Sequence, residues 1–347
     1  QTCALPILPF YYDIGGSCPT SLGNGNYGTF RMGTFEVYNY AISPGAIYNS
    51  YITGATIWDN ICPPVTLPDF ISIWRTTTPN ETIILPYDSN GLYSGTINWG
   101  DGNVESNTYS NISHTYSTPG DYTITITGQI SGFSFSIDST STGNIIEITQ
   151  FGPLEVSNSL GQFAYCSNLV LTGVTDTPVL SGLTTTKAMF RNCSSITTIN
   201  NLDSWNVSTI TEMRQMFKNC YNFDQSISSW DVSNVTDMSQ MFNNTIFNQD
   251  ISTWNVSNVT SFSDMFFNNT VFNQNINSWN TSSALSMNGM FYGTTSFNQP
   301  LNQWNMGNVT LTNSMFEGSL FNQDIHDWNV SSVTDRKSTR LNSSHTD

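Results

Sequence analysis

The second half of the chain carries one pattern of hydrophobic positions that recurs every 24 or 25 residues. Each unit begins with Trp, continues with apolar residues at every third position, and reaches a Phe twelve residues after the Trp. A link of variable length follows, and a second Phe then lies seven residues before the next Trp. Because all variation in length falls within the link, the link is predicted to be a loop and the segments of fixed spacing are predicted to be packed.

Within one unit, the apolar positions predict local structure. Val232, Val235, Met238 and Met241 form a one-sided stripe, which favours turns and a short helix that Thr236 would cap. The segment FNQDIS at 247–252 has apolar residues on one side, as a short strand would. One unit of this length cannot bury such a stripe alone, but stacked units can. The recurring aromatic residues are Trp205, Trp230, Trp254, Trp279, Trp304 and Trp328, with Phe190, Phe217, Phe242, Phe266, Phe291 and Phe316.

Residues 69–130 instead alternate with a period of two, which predicts strands. In GDYTITITG at 120–128, the side chains of Tyr122, Ile124 and Ile126 fall on one face and the threonines on the other. Gly100, Asp101 and Gly102 predict a tight turn after a strand that ends near Trp99. The motifs INWGDG at 97–102 and HTYSTPGDYTITITG at 114–128 resemble the polycystic-kidney-disease (PKD) type of immunoglobulin-like domain. For residues 67–130, that resemblance implies a β-sandwich that serves as a spacer or binding module outside cells.

The repeat motifs DVSNVTDMSQMF at 231–242 and FNQDIS at 247–252 resemble the BspA-like leucine-rich-repeat family of surface proteins, in its branch with 25-residue repeats. For residues 131–335, the resemblance implies a right-handed solenoid of about seven rungs, generally linked to adhesion. The expected fold class is therefore mainly β with short helices, in which a PKD-like sandwich precedes a leucine-rich-repeat-like solenoid.

Both ends of the chain resemble translated sequencing adapter. DRKSTRLNSSH at 335–345 back-translates into an adapter sequence, and QTCALPI at 1–7 back-translates into the reverse complement of the same adapter family. We interpret residues 1–7 and 336–347 as adapter-derived artefacts, so the chain is expected to be a fragment at both ends. Residues 8–66 form an unassigned β-rich segment in which Cys18 and Cys62 are a possible disulfide pair.

Charge and composition exclude several functions. The formal net charge of −16 argues against a nucleic-acid partner, which requires clustered Lys and Arg. No apolar run reaches the roughly 18 residues of a membrane helix, so no membrane insertion is expected. The sequence contains no nucleophile–base set, phosphate loop or HExxH motif. We therefore expect a non-catalytic extracellular or cell-surface protein without a cofactor or metal.

Several residues allow two interpretations. Cys166, Cys193 and Cys220 recur at one repeat position, which favours small buried residues over metal or redox ligands. The regular spacing of the Trp residues favours a place in the core over a platform on which sugars stack. The repeated Asn-Gln pairs are interpreted as hydrogen bonding along the stack, in preference to binding a ligand. For Asp101, a turn residue is favoured over a calcium ligand. For His114, a structural role on a strand is favoured over a functional one.

The leading hypothesis is adhesion through a polar, acidic face of the solenoid that binds protein or glycan. The residues beside the apolar strand position would carry this binding: Asp250, Ser252, Asn275, Asn277, Asp324 and His326. Two alternatives remain open at this point. The chain could be an accessory binding region of a larger secreted enzyme, or a structural protein of a virion or tail fibre.

Overall fold

The computed structural model describes residues 68–156, 158, 160–180 and 182–335. Within these residues the chain is mainly β with almost no helix, and its only helical turns are the 3₁₀ segments Tyr109–Asn111 and Leu202–Ser204. Residues 8–66, with Cys18 and Cys62, and the two adapter-like ends lie outside the described residues, so those predictions stay untested.

Strands are concentrated in the N-terminal part of the described chain. They are β1 Phe70–Thr76, β2 Glu81–Ile84, β3 Thr96–Asn98, β4 Val104–Ser106, β5 Ser113–Tyr116, β6 Gly120–Ile126, β7 Ile130–Ser131, β8 Ile145–Gln150 and β9 Leu154–Glu155. A five-stranded sheet has the order β4-β3-β6-β1-β8, while β2 pairs with β5 and β7 pairs with β9.

The predicted alternation places one face of the five-stranded sheet in the core. In β6, Ile124 and Ile126 are fully buried, and in β1 the same holds for Phe70 and Trp74. Strands β1 and β6 run antiparallel with Phe70 opposite Ile126. The hydroxyl of Tyr116 in β5 donates a 2.8 Å hydrogen bond to the Trp99 carbonyl after β3, which ties the β2–β5 pair to the larger sheet.

Strand β8 joins this sheet to the repeats. On one side it pairs antiparallel with β1. On the other side Glu147 forms a parallel bridge with Val170, whose amide donates to the Ile146 carbonyl at 2.9 Å. One continuous hydrophobic core then extends from Phe70 to Phe321.

From residue 185 onward, successive repeats are joined by parallel backbone bridges. The bridged residues, one in each repeat, are Thr185, Glu212, Asp237, Ser261, Ser286, Leu311 and Asp335. Alternate amides continue the pairing: Met238 donates to Ser261 at 3.0 Å, and Phe242 donates to Met265 at 3.0 Å. Along this side of the stack, alternate backbone amides of each repeat therefore donate hydrogen bonds to carbonyls of the next repeat.

The predicted short helix in each repeat is wrong. An α-helix needs each amide to bond the carbonyl four residues earlier, but here alternate amides are committed to the next repeat. Gln240 and Asn244 adopt left-handed conformations with φ of 60° and 54°, which no α-helix accommodates. The hydroxyl of Thr236 donates to the Thr211 carbonyl of the preceding repeat at 3.1 Å, so it does not cap a helix.

The predicted strand at 247–252 is also wrong, although Phe247 and Ile251 are buried as expected. Here the side-chain oxygen of an Asn, and not a backbone carbonyl, accepts the hydrogen bond from the backbone N–H of the next repeat. The Asn273 amide donates to Oδ1 of Asn248 at 2.9 Å, and the Asn298 amide donates to Oδ1 of Asn273 at 3.0 Å. The repeated Asn-Gln pairs thus form hydrogen bonds along the stack, as the sequence interpretation favoured.

Aromatic rings fill the interior in three columns, two of Phe and one of Trp. Phe242 stacks on Phe217 and Phe266 of the neighbouring repeats, with centroids 6.1 and 5.8 Å away. Within its own repeat it stacks on Phe247 at 4.0 Å. The first five Trp residues of the repeats are buried and Trp328 is partly buried. Nε1 of Trp254 donates to the Ile227 carbonyl one level down the stack at 3.2 Å. The interpretation of the Trp column as core is confirmed.

We expect Asn244→Ala to destabilise the fold more than Asn244→Gly. Both substitutions remove the bond from Asn244 Nδ2 to Asn219 Oδ1, but only alanine carries a Cβ into the left-handed conformation, at a cost of about 1–2 kcal/mol. Urea unfolding of the two variants measures the difference. If the alanine variant were as stable as the glycine variant, the left-handed turn would not constrain this position.

Candidate ligand-binding site

The six predicted binding residues occupy two positions of the repeat, on either side of a residue that points inward. Asp250 and Ser252 flank the buried Ile251, and Asn275 and Asn277 flank the buried Ile276. The first residue of each pair accepts a hydrogen bond from the amide of the second: Ser252 to Asp250 at 2.9 Å, and Asn277 to Asn275 at 3.0 Å. The polar side chains therefore point outward from short turns, and these residues are not part of a strand.

Four of the predicted residues come together in one surface depression. It has a volume of about 330 Å³ and is lined by Asp250, Ser252, Asn275 and Asn277, with Gln274, Ser278 and Gln303. Asp324 and His326 are not part of its lining. The sequence interpretation assigned Gln274, the glutamine of the repeated motif, to hydrogen bonds along the stack. It missed Ser278 and Gln303, each of which precedes a Trp.

Hydrogen bonds between repeats fix the polar groups of the depression. Asn277 Nδ2 donates to Oδ1 of Asn302 at 2.9 Å, and the Gln303 amide donates to Oδ1 of Asn277 at 3.0 Å. Ser278 Oγ donates to the Ser252 carbonyl at 3.2 Å. Polar side chains that are already anchored lose little conformational entropy when a ligand binds, so this depression is preorganised.

The depression is acidic and rich in acceptors. Hydrogen bonds from Ser252 hold the pKa of the Asp250 carboxyl below its usual range, so this group is ionised at neutral pH. Between residues 219 and 335 the sequence contains nine Asp and Glu residues and no Lys or Arg. The arrangement offers carboxylate, hydroxyl and amide groups to a ligand with many hydroxyl or amide donors.

Asp324 and His326 form a separate, exposed cluster at the same repeat positions. His326 Nδ1 lies 2.7 Å from Asp324 Oδ1, and its Nε2 lies 3.0 Å from Asp327 Oδ1. Hydrogen bonding to Asp324, with the charges of both carboxylates, raises the pKa of the His326 imidazole.

The three recurring cysteines are structural. Cys166, Cys193 and Cys220 are fully buried free thiols. Sγ of Cys220 donates to the Phe190 carbonyl at 2.9 Å, and Thr294 Oγ1 makes the corresponding bond to Phe266 at 2.9 Å in a later repeat. Burial raises the pKa of the Cys220 thiol to about 12. The interpretation of these positions as small buried residues is confirmed.

Asp101 and His114 belong to a structural cluster. Asp101 Oδ2 lies 2.8 Å from Nε2 of His114 and also accepts from the Asn103 side chain at 3.0 Å. The His114 ring stacks on Trp99 with centroids 5.0 Å apart. These contacts close the turn between β3 and β4, as the turn interpretation of Asp101 predicts. Among the described residues, no group of three or more His, Cys, Asp and Glu side chains is placed to hold a metal ion.

Comparison with known proteins gives one family match. Residues 184–285 and 244–346 match the family described as "Mycoplasma protein of unknown function, DUF285". The matches lie in the repeats, cover just under half of the chain, and are consistent with a surface repeat protein. The second match includes part of the segment that we interpret as adapter-derived, and that interpretation stays a prediction. No curated protein and no solved structure matched the chain.

In the part of the chain that the structure describes, no helix has the length and apolar character to span a bilayer.

We expect the His326 imidazole to titrate above its ordinary pKa of about 6.5 in the folded protein. Folding favours the protonated ring, so its stabilising effect is present below the unfolded-state pKa and is lost as pH rises through the raised folded-state pKa. Histidine NMR titration measures this pKa. Asp324→Asn is expected to lower it, whereas Asp231→Asn, in an earlier repeat, leaves it unchanged; an unshifted pKa in the Asp324 variant would contradict the pairing.

Proposed function

We propose that this chain is a non-catalytic extracellular or cell-surface adhesion protein that binds protein or glycan ligands through the acidic depression around Asp250 and Asn277. The proposal includes the finer architecture: a PKD-like sandwich at 67–130 that leads into a right-handed leucine-rich-repeat-like solenoid. The observation that carries it is the convergence of four outward polar residues from two repeats on one preorganised depression.

The separation of each repeat into inward core positions and outward variable positions supports binding over catalysis. Inward positions are occupied by the Phe, Trp, Met and Val residues of the core, and many polar side chains bond to a neighbouring repeat. The outward pair changes from Asp-Ser in one repeat to Asn-Asn in the next, without altering the buried residue between them. Such a scaffold tolerates changes in its surface residues, as repeat proteins that present extended binding surfaces do.

The chemistry of the depression supports a ligand that donates hydrogen bonds. The Asp250 carboxylate and the side chains of Asn275 and Gln274 supply acceptors, while amide and hydroxyl donors lie beside them. Neutral or amino-sugar glycans and Lys- or Arg-containing protein loops have complementary groups. A polyphosphate backbone does not, because the surrounding repeats carry only negative charge.

An array of neutral glycans, amino-sugar glycans and matrix proteins tests the proposal. We expect at least one ligand to bind, and Asp250→Asn to weaken that binding by about tenfold through loss of a charged hydrogen-bond acceptor. Asp231→Asn is the matched control, because Asp231 also accepts from the amide two residues later and bears the same charge elsewhere in the repeat.

Two results would contradict the proposed function. One is an array without any binding at high ligand concentration by protein whose folding has been verified by circular dichroism. The other is equal loss of binding in the Asp250 and Asp231 variants, which would indicate a general charge effect and no role for the depression.

A further inference from the structure

The few cations of the described chain are concentrated in one place. Its Lys and Arg residues are Arg75, Lys187, Arg191, Arg214 and Lys218. Arg75 lies in β1, where it pairs with Asp121 at 2.6 Å. The other four fall within two consecutive repeats, in a chain whose formal net charge is −16. Like charges brought together by folding repel each other, so their proximity calls for an explanation other than stability.

Two of these cations are linked across neighbouring repeats by a row of glutamines. Arg191 Nη1 donates to Oε1 of Gln215 at 3.3 Å, and Gln215 Nε2 donates to Oε1 of Gln240 at 2.5 Å. Lys218 Nζ donates to the same Gln240 oxygen at 2.9 Å. The guanidinium of Arg191 also lies 5.4 Å from the ring centroid of Tyr165. These contacts hold both cationic groups on the side of the stack formed by the backbone bridges.

The positive charge of this cluster is only partly neutralised. Lys187 pairs with Glu212 at 3.1 Å, and Asp264 accepts from Gln240 at 3.0 Å beside Lys218. Arg214 is exposed, and among the described residues its guanidinium has no hydrogen-bond or ion-pair partner. Partial burial, with the nearby Arg191 and Arg214, lowers the pKa of Lys218.

Aromatic residues continue the same column of repeat positions. The residue after the stacked Phe is Arg191, Lys218, Asn243, Phe267 and Tyr292 in five successive repeats. Phe267 and Tyr292 are partly exposed and stack face to face, with centroids 4.4 Å apart and planes within 4° of parallel. Repeats paired like strands are about 4.8 Å apart, so this aromatic pair begins about 10 Å from Lys218.

We propose that these residues form a second binding surface, the cationic–aromatic column, which takes an acidic oligosaccharide lying along the stack. The column consists of Tyr165, Arg191, Arg214, Lys218, Phe267 and Tyr292. Carboxylate or sulfate groups of the sugar pair with the cations, and the apolar face of a neighbouring sugar ring packs on the aromatic pair. Arg fits planar carboxylate and sulfate groups through its forked donors, and exposed Arg214 is available for such a contact.

An oligosaccharide fits this column better than a nucleic acid does. Nucleic acids present a phosphate at every step and are bound by neutralising many of them. Here the position after the stacked Phe is cationic in two repeats, neutral in the third, aromatic in the next two and acidic, as Glu317, in the sixth. A ligand with spaced charges and apolar ring faces matches that order. The column shares no residue with the depression around Asp250, so either proposal can fail without the other.

Direct binding of defined acidic glycans tests the column. The probes are hyaluronan oligosaccharides for carboxylate, heparin oligosaccharides for sulfate, dextran oligosaccharides as the neutral control, and single-stranded DNA as a polyanion of another class. We expect at least one acidic glycan to bind with an affinity that falls as salt is added, whereas any dextran bound through the depression around Asp250 is held independently of salt.

Matched variants locate the site. Arg214→Gln and Lys218→Gln are each expected to weaken acidic-glycan binding by about tenfold, whereas Arg75→Gln removes one positive charge in β1 and leaves it unchanged. Tyr292→Ser is expected to weaken binding without changing its salt dependence, because it removes a stacking surface and no charge. Asp264→Asn keeps the acceptor for Gln240 but removes the carboxylate beside Lys218, so it is expected to tighten binding, which misfolding cannot imitate.

Three results would overturn this inference. They are absence of binding to both acidic glycans, DNA binding as tight as glycan binding, and equal weakening by the Arg75 and Arg214 substitutions. Loss of neutral-glycan or protein binding in the Asp250 variant, with acidic-glycan binding intact, would show that the two surfaces act separately.

Discussion

The packing of each repeat on the next is the interaction on which the rest of this structure depends. A single repeat has too few residues to enclose its own apolar stripe, so its Phe rings are buried only when neighbouring rings cover both faces. Phe242 illustrates this, with rings on adjacent repeats at 6.1 and 5.8 Å and one within its own repeat at 4.0 Å. These separations exceed the spacing of about 4.8 Å between paired strands, so the rings between repeats are offset, which is the arrangement that aromatic quadrupoles favour.

Stacking also determines where function can reside. On one side of the stack, backbone amides bond to carbonyls of the next repeat. Asn248 and its equivalents accept hydrogen bonds from amides of the neighbouring repeat, and from Trp230 onward each Trp Nε1 donates to a carbonyl of the level below. Positions that these bonds do not fix can vary without loss of the fold. Two such sets differ in charge: the outward pair around Asp250 is acidic, and the column that contains Lys218 is cationic and then aromatic. The scaffold thus supports surfaces of opposite charge on different positions of the same repeat.

Much of this arrangement can be predicted from the sequence, because fixed spacings between Trp and Phe report directly on packing. The local backbone could not be predicted in the same way. In an isolated segment, an apolar residue at every third position is typical of a helix. In the stack, hydrogen bonds between repeats impose a different backbone, in which alternate amides bond to the next repeat and some residues are left-handed. A signal was nevertheless present: the second position after the stacked Phe is Asn244 or Asn268 in some repeats and Gly293 or Gly318 in others, and these two residue types tolerate positive φ best. Likewise, Asp250 and Asn277 could be selected as outward residues, but the contribution of Gln303 to the depression depends on the register between repeats.

A double-mutant cycle on the Phe column measures this dependence between neighbours most directly. The free energy of unfolding is determined for Phe217→Leu, Phe242→Leu and Phe266→Leu, singly and in pairs. Stacking between adjacent repeats predicts coupling energies of about 0.5–1.5 kcal/mol for the pairs Phe217–Phe242 and Phe242–Phe266. It predicts additive effects for Phe217–Phe266, whose rings are separated by Phe242. Additivity in the adjacent pairs, or equal coupling in all three pairs, would contradict the account.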